Sequence, residues 1–339
     1  MDTTFSKLII HKDFKDSIQE VRNSKIYIGN LGSGKFESEN EFDLNFGDYE
    51  LEGITELKKY DLDGKNGSFV NQRLNNVVAY DESILKFSSL EGEGVLTSHS
   101  IVKLDKKDYL ASSYIVFHFY TRSEKIAKDN KTIRLSENIS DLIKADYSNE
   151  RNNFLVENVP SNSLLFIDGP LIGKNLNADT VKLNNALLQK NIFPIFVVKN
   201  SSSNLITNKV GTLKNNYNSD LHWASIFLGD GQRTNFFLYT DKINKEFSKK
   251  FCYIKSFNKS PQRVEIYPKT FELFENDVHE LMDLIYYYFI ANGNVKNQQI
   301  RPIAIAEKFA RNTISMFDLN VILKYTGLTP SVNEERFNL

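Results

Sequence analysis

The chain is poor in the residues that staple small domains or cage soft metals. It has 339 residues and one cysteine, Cys252. That excludes an internal disulfide and any Cys-based zinc cage. Five scattered histidines argue against a His-rich metal centre. Proline and glycine are sparse, and no Pro/Gly/Ser linker, internal repeat or low-complexity block divides the sequence. No uncharged apolar run approaches the ~18 residues of a membrane span, and no signal-peptide start is visible. An excess of one charge is also missing, since 42 Lys+Arg face 43 Asp+Glu for a net charge of −1. This balance excludes a surface coated uniformly in positive charge, although it is compatible with a local basic groove. What is present is 41% hydrophobic and 25% charged residues, enough for a substantial core. The length fits one large domain or two smaller ones. These features predict a soluble cytoplasmic protein.

Strand and helix signals alternate. Residues 1–75 are polar and hard to read. Strands are expected at Leu74–Ser83, Ser98–Leu104 and Tyr114–Tyr120 from their β-branched and aromatic content. The turn signal Glu91-Gly92-Glu93-Gly94 lies between the first two, so the three read as an antiparallel meander. A helix is expected over Glu137–Leu155, with Ile139, Ile143, Tyr147 and Phe154 on one face and Glu150 between the last two. Leu164–Ile167 and Ile192–Val198 are short apolar strands, and Thr234–Tyr239 and Val264–Ile266 are weaker candidates. Val278, Leu281, Ile285 and Tyr288 mark a helix with Asn276 as its N-cap. A last helix starts near Pro302 and places Glu307 on a face with Ile303, Ala310 and Ile314. The order is α/β, with parallel strands following an antiparallel start.

Gly29-Asn30-Leu31-Gly32-Ser33-Gly34-Lys35-Phe36 has the spacing of a phosphate-binding loop after the strand-like Lys25–Ile28. That loop needs Ser or Thr after its lysine and a helix next. Here Phe36 and an acidic stretch follow, so a glycine-rich turn between strands is the better reading.

Carboxylates stand where apolar residues are expected. Asp81 ends the run Val77–Tyr80, Asp168 ends Leu164–Ile167, and Glu150 and Glu307 lie on apolar helix faces. Singly, each has a plain explanation as a cap or a stripe edge. Together they suggest adjacent strand ends and packed helices converging on one spot, where the repulsion needs cations. Oxygen ligands suit magnesium or manganese. Two such ions would activate a water and stabilise the leaving oxygen of a phosphodiester.

These segments resemble the NurA nucleases. Val77-Val78-Ala79-Tyr80-Asp81-Glu82-Ser83 resembles their first motif, a strand ending in Asp-Gly-Ser. Leu164-Leu165-Phe166-Ile167-Asp168-Gly169-Pro170-Leu171 resembles their second. Phe196–Ser201, with Lys199, is similar to the strand-then-lysine segment. Gly231-Gln232-Arg233-Thr234 and Arg263-Val264-Glu265 are similar to the later Gly-x-Arg and Arg-x-Glu elements. Arg301–Glu307 aligns with the helix start that normally ends in Ala-His.

The resemblance implies an RNase H-like mixed sheet flanked by helices at about residues 76–320. It leaves an N-terminal extension over 1–75 for docking or dimer contacts and a tail over 321–339. It implies a DNase using two Mn2+ or Mg2+ ions, a homodimer, and a HerA-like hexameric ATPase partner in end resection, repair or phage defence. Carried across, Asp81, Glu150, Asp168 and Glu307 are the catalytic metal ligands, with Glu157 the rival of Glu150. Lys199, Arg233 and Arg263 face the DNA groove. Three departures stand out: Glu82 for Gly, Glu307 for His, and Gln299 for Tyr. Glu307 as a mere ion-pair partner of Arg263 or Arg311 is the alternative to ligation. A catalytically weak subunit that scaffolds the ATPase, and a nucleotide-binding protein using Gly29–Lys35, are the alternatives for the chain.

Two stretches read as basic. Residues 181–219 carry Lys182, Lys190, Lys199, Lys209 and Lys214 and no acid. Asp241–Arg263 has seven basic residues against two acidic, interleaved with Phe247, Phe251, Tyr253 and Phe257. They suit phosphates and stacked bases, or else a solvated surface with core aromatics.

Overall fold

The computed structural model describes residues 49–74, 76–105, 108–127, 133–172, 177–257, 260–292 and 298–317. The described chain opens with strands β1 (Tyr49–Glu52) and β2 (Lys59–Asp61) and helix α1 (Gly64–Arg73). Asp63 caps α1 by accepting from the backbone N–H groups of Lys65 and Asn66. Gly67 is required by close packing, because a Cβ there would stand 2.1 Å from the carbonyl oxygen of Asp283.

The expected meander follows as β3 (Val77–Ser88), β4 (Glu93–Asp105) and β5 (Asp108–Thr121). All pairs are antiparallel, and each strand outruns its apolar run because the ladder continues through polar residues at the meander's ends. Next come α2 (Glu124–Ala127), β6 (Ile133–Leu135) and α3 (Ile139–Asn158). Then β7 (Ser163–Asp168), α4 (Asn177–Gln189) and β8 (Ile192–Val198) form a parallel unit beside β3. The apolar runs of β7 and β8 are those of strands covered on both faces.

After α5 (Asp220–Phe227), the strands β9 (Gln232–Thr234), β10 (Phe237–Asp241), β11 (Ser248–Lys255) and β12 (Gln262–Ile266) extend the sheet. The single strand expected at Thr234–Tyr239 is thus two. Helices α6 (Pro268–Leu273), α7 (Val278–Asn292) and α8 (Arg301–Ser315) close the described chain. Leu281 N–H donates to the Asp277 carbonyl at the start of α7, so Asp277 rather than Asn276 stands at the N-cap. Pro302 lies in the first turn of α8, as expected.

The sheet order is β1-β10-β11-β12-β8-β7-β3-β4-β5-β6, with β9 joining β11 to β2. Alternation sends side chains into two cores. Val78, Tyr80, Leu165 and Ile167 pack under α3, α4 and α5, whereas Val77, Ala79, Leu164 and Phe166 pack under α1, α7 and α8. Because β1 and β2 pair with β10 and β9, the sheet begins N-terminal to residue 76. The Gly29–Lys35 loop, most of the expected docking extension and residues 321–339 lie outside the described residues. Among the described residues no helix is long and apolar enough to cross a membrane.

Candidate active site

Parallel pairing sets Tyr80 opposite Ile167, so the next residues, Asp81 and Asp168, stand at neighbouring positions on β3 and β7. The pleat turns both toward the face covered by α8. Here β7 stops. Gly169 takes φ +103°, which favours glycine, and its N–H donates to the Val197 carbonyl at 3.0 Å. Asp81 is only 6% exposed, and its Oδ1 accepts from the Glu82 N–H at 2.8 Å. Burial foremost, then the charges of Glu82 and Asp168, push the Asp81 carboxyl up to about 8.

Lys199, just past the end of β8, reaches the same place. Its Nζ donates to Asp168 Oδ2 at 2.6 Å and lies 3.5 Å from Glu307 Oε2. Burial still holds the Asp168 carboxyl above its ordinary value, because it outweighs the ammonium and Glu82 and Glu307 repel the charge. Glu307 projects from α8, 18% exposed, and also pairs with Arg311 one turn on. Burial pushes its carboxyl up, but Lys199 and Arg311 help outweigh this and hold it below the usual range. The structure thus gathers Asp81, Asp168, Lys199 and Glu307. Of the two arginines considered for Glu307, Arg311 meets it, whereas Arg263 lies on the opposite face of the sheet.

Glu150 is placed elsewhere. It projects from α3 on the other face, where its carboxylate contacts His118 Nε2 and lies 4.0 Å from His99 Nε2. Burial pushes the Glu150 carboxyl up, yet the hydrogen bond with His118 and the nearby His99 imidazole bring it down to about 2. Tyr80 bonds His99 Nδ1 at 2.8 Å from the sheet side. The sequence missed these partners because its histidines look scattered. The signal was the meander, whose register puts His99 and His118 on one face. Glu157 is on α3, not beyond it, and is exposed. Glu82 connects the two places, since its charge acts on Asp81 and Asp168 and also on Tyr147 of α3.

The arginines expected at the groove are interior. Arg233, 3% exposed, donates to the Thr234 carbonyl at 2.9 Å and stacks on Tyr60. Arg263, 2% exposed, pairs with Glu265 at 2.7 Å. Lys249 also pairs with Glu265, Lys255 donates to the Ser225 and Leu228 carbonyls, and Phe251 and Tyr253 fill the core. In the earlier stretch, Lys182, Lys190, Lys209 and Lys214 are exposed. Gln299 is buried at 1% exposure just before α8.

Among the described residues no group of three or more His, Cys, Asp or Glu is spaced to hold a metal ion. The donor chemistry nevertheless fits a hard divalent cation. Asp81, Asp168 and Glu307 offer oxygen only, and Asp81 is a buried carboxyl whose ionisation needs a compensating charge.

The NurA domain family model matches residues 67–311. Among solved structures the chain is similar to the NurA nuclease from Sulfolobus solfataricus, at 12% identity over 94% of this chain and 98% of that chain, with TM-score 0.53. It is more distantly similar to a NurA with manganese, at 9% identity over 89% of this chain and 97% of that chain, with TM-score 0.42. A comparison with curated proteins gave no match. The order β8-β7-β3-β4-β5, with helices on both faces, is the RNase H-like arrangement expected. With a family model spanning most of its length and a shared fold, the chain belongs to the NurA family.

Proposed function

We propose that the chain is a divalent-metal-dependent deoxyribonuclease. The observation that carries this reading is the pair Asp81 and Asp168 at adjacent strand ends, with Glu307 delivered from α8 to the same face. Asp81, Asp168 and Glu307 would hold Mn2+ or Mg2+. When bound, two such ions supply Lewis-acid polarisation of the phosphodiester and a nucleophilic water at neutral pH. On this reading Glu150 leaves His118 to complete the ligand set. Exposed Lys182, Lys190, Lys209 and Lys214 steer the DNA backbone. Lys199 meets it at the site, and Arg263 acts by positioning the loop after Lys199. As a NurA member, the chain works in the cytoplasm as a homodimer. There it processes DNA ends with a HerA-like hexameric ATPase, in resection and repair or in phage defence.

The test is cleavage of linear DNA by the purified chain. Degradation with Mn2+ or Mg2+ that stops with EDTA supports the reading, and no cleavage with either metal sinks it. One observation favours a second reading, a catalytically weak subunit that scaffolds the ATPase: Glu150 is held by His118, apart from the other carboxylates. On that reading the chain binds the ATPase and leaves DNA intact.

A further inference from the structure

Lys199 belongs to the carboxylate cluster itself rather than to a basic surface. Its Nζ stands 2.6 Å from Asp168 Oδ2 and 3.5 Å from Glu307 Oε2. Burial works against the charge of Lys199. Asp168 foremost, then Glu307 and Asp81, attract the ammonium. The backbone beside it is anchored. Arg263 Nη1 donates to the Ser201 and Ser203 hydroxyls, both at 2.6 Å, and buried Asp220 accepts from Ile206 N–H and Thr207 N–H.

An ammonium at this point offsets one of the two carboxylate charges, where a divalent metal would offset both. The compensation is uneven. Asp168 and Glu307 share Lys199, while buried Asp81 has no ion pair among the described residues. A divalent ion therefore gains most beside Asp81, and must compete with a charge already in place between Asp168 and Glu307.

We propose that Lys199 is a built-in counter-cation that guards the Asp168–Glu307 side of the site, so that a second divalent ion is taken there only when the ammonium is displaced. This rests on the metal-dependent reading above. It makes Lys199 a determinant of how many ions the site holds at a given concentration.

The test is a Mn2+ titration of the metal-free full chain without DNA, followed by electron paramagnetic resonance of free Mn2+ and by calorimetry. The parent chain is expected to take one ion, with a second at least ~10-fold weaker. Lys199→Met and Lys199→Gln should each take two, the second tightened by about 10-fold or more. Lys199→Arg keeps the charge and should behave as the parent. Melting in EDTA identifies folded variants, and either neutral variant suffices. Unchanged stoichiometry and affinities in the folded neutral variants overturn the proposal, as do two equally tight ions in the parent. No Mn2+ uptake by the parent overturns the metal-dependent reading itself, and this proposal with it.

Discussion

Arg263 and Glu265 stand two residues apart on β12, and their buried 2.7 Å ion pair ties down both loops that leave the site. Glu265 Oε2 accepts from the Leu171 N–H at 2.8 Å, in the loop after Asp168. Arg263 holds Ser201 and Ser203, in the loop after Lys199. The pair acts on the chemistry only through the backbone it positions.

Removing one partner from such a network leaves buried charge uncompensated, at a cost of ~3–5 kcal/mol. Glu265→Gln should therefore lower urea stability by about that much at pH 7. Burial pushes the Glu265 carboxyl up, but Lys249 and Arg263 outweigh it and hold it below the usual range. A depressed carboxyl stabilises the fold fully above its unfolded value, roughly 4.3, and that stability is lost as pH falls through the folded value. The difference between parent and variant should shrink below about pH 4. A difference that widens on acidification contradicts the assignment.

Asp81 has the opposite sign. Its carboxyl is raised to about 8, so the folded chain holds the proton more tightly than the unfolded one. That stability is fully present below roughly pH 4 and lost as pH rises through the folded value. Without metal, Asp81→Asn should melt with the parent at pH 4 and well above it at pH 8.5, by an amount of order 2–5 kcal/mol. Saturating Mn2+ should erase the difference by stabilising only the parent. An Asp81→Asn chain less stable than the metal-free parent at pH 8.5 would mean that Asp81 is compensated.

The strands that carry Asp81 and Asp168 were legible because apolar runs covered on both faces end abruptly in a charge. Lys199 and Glu307 were legible as candidates, but their meeting required knowing that β8 and α8 reach the same face. The stretch Asp241–Arg263 misled, because β11 buries charge: Lys249 spends its ammonium on Glu265 and Lys255 on two carbonyls, so a core strand reads as a basic surface. β1 and β2 were missed because strands of four and three residues, half-exposed, carry too little periodicity. Glu150 was rightly placed on the buried face of α3. Its histidine partners came from a register that no local pattern encodes.

Glu307 replaces the histidine that the NurA resemblance leads one to expect, giving oxygen where nitrogen would favour softer metals. Glu307→His should move the Mg2+-to-Mn2+ activity ratio toward Mn2+. Glu307→Ala should lower cleavage with both, by about 10-fold or more. Rates and preference unchanged in both variants would reduce Glu307 to a partner of Lys199 and Arg311.

Glu150 and His118 separate ligation from packing. If Glu150 leaves His118 to bind metal, Glu150→Gln should slow cleavage by roughly 10-fold or more, while His118→Gln stays within about 3-fold of the parent. Equal, small effects of the two substitutions would mark the pair as structural.

The most direct test of the account is DNA cleavage by Asp168→Asn. The substitution keeps the side chain's shape and removes the charge beside Lys199 and Asp81. Measured with Mn2+ on linear DNA, beside the parent and with melting checked in EDTA, the variant should be folded and at least ~100-fold slower. A folded Asp168→Asn chain that cuts at the parental rate would contradict the assignment of the carboxylate cluster as the catalytic centre.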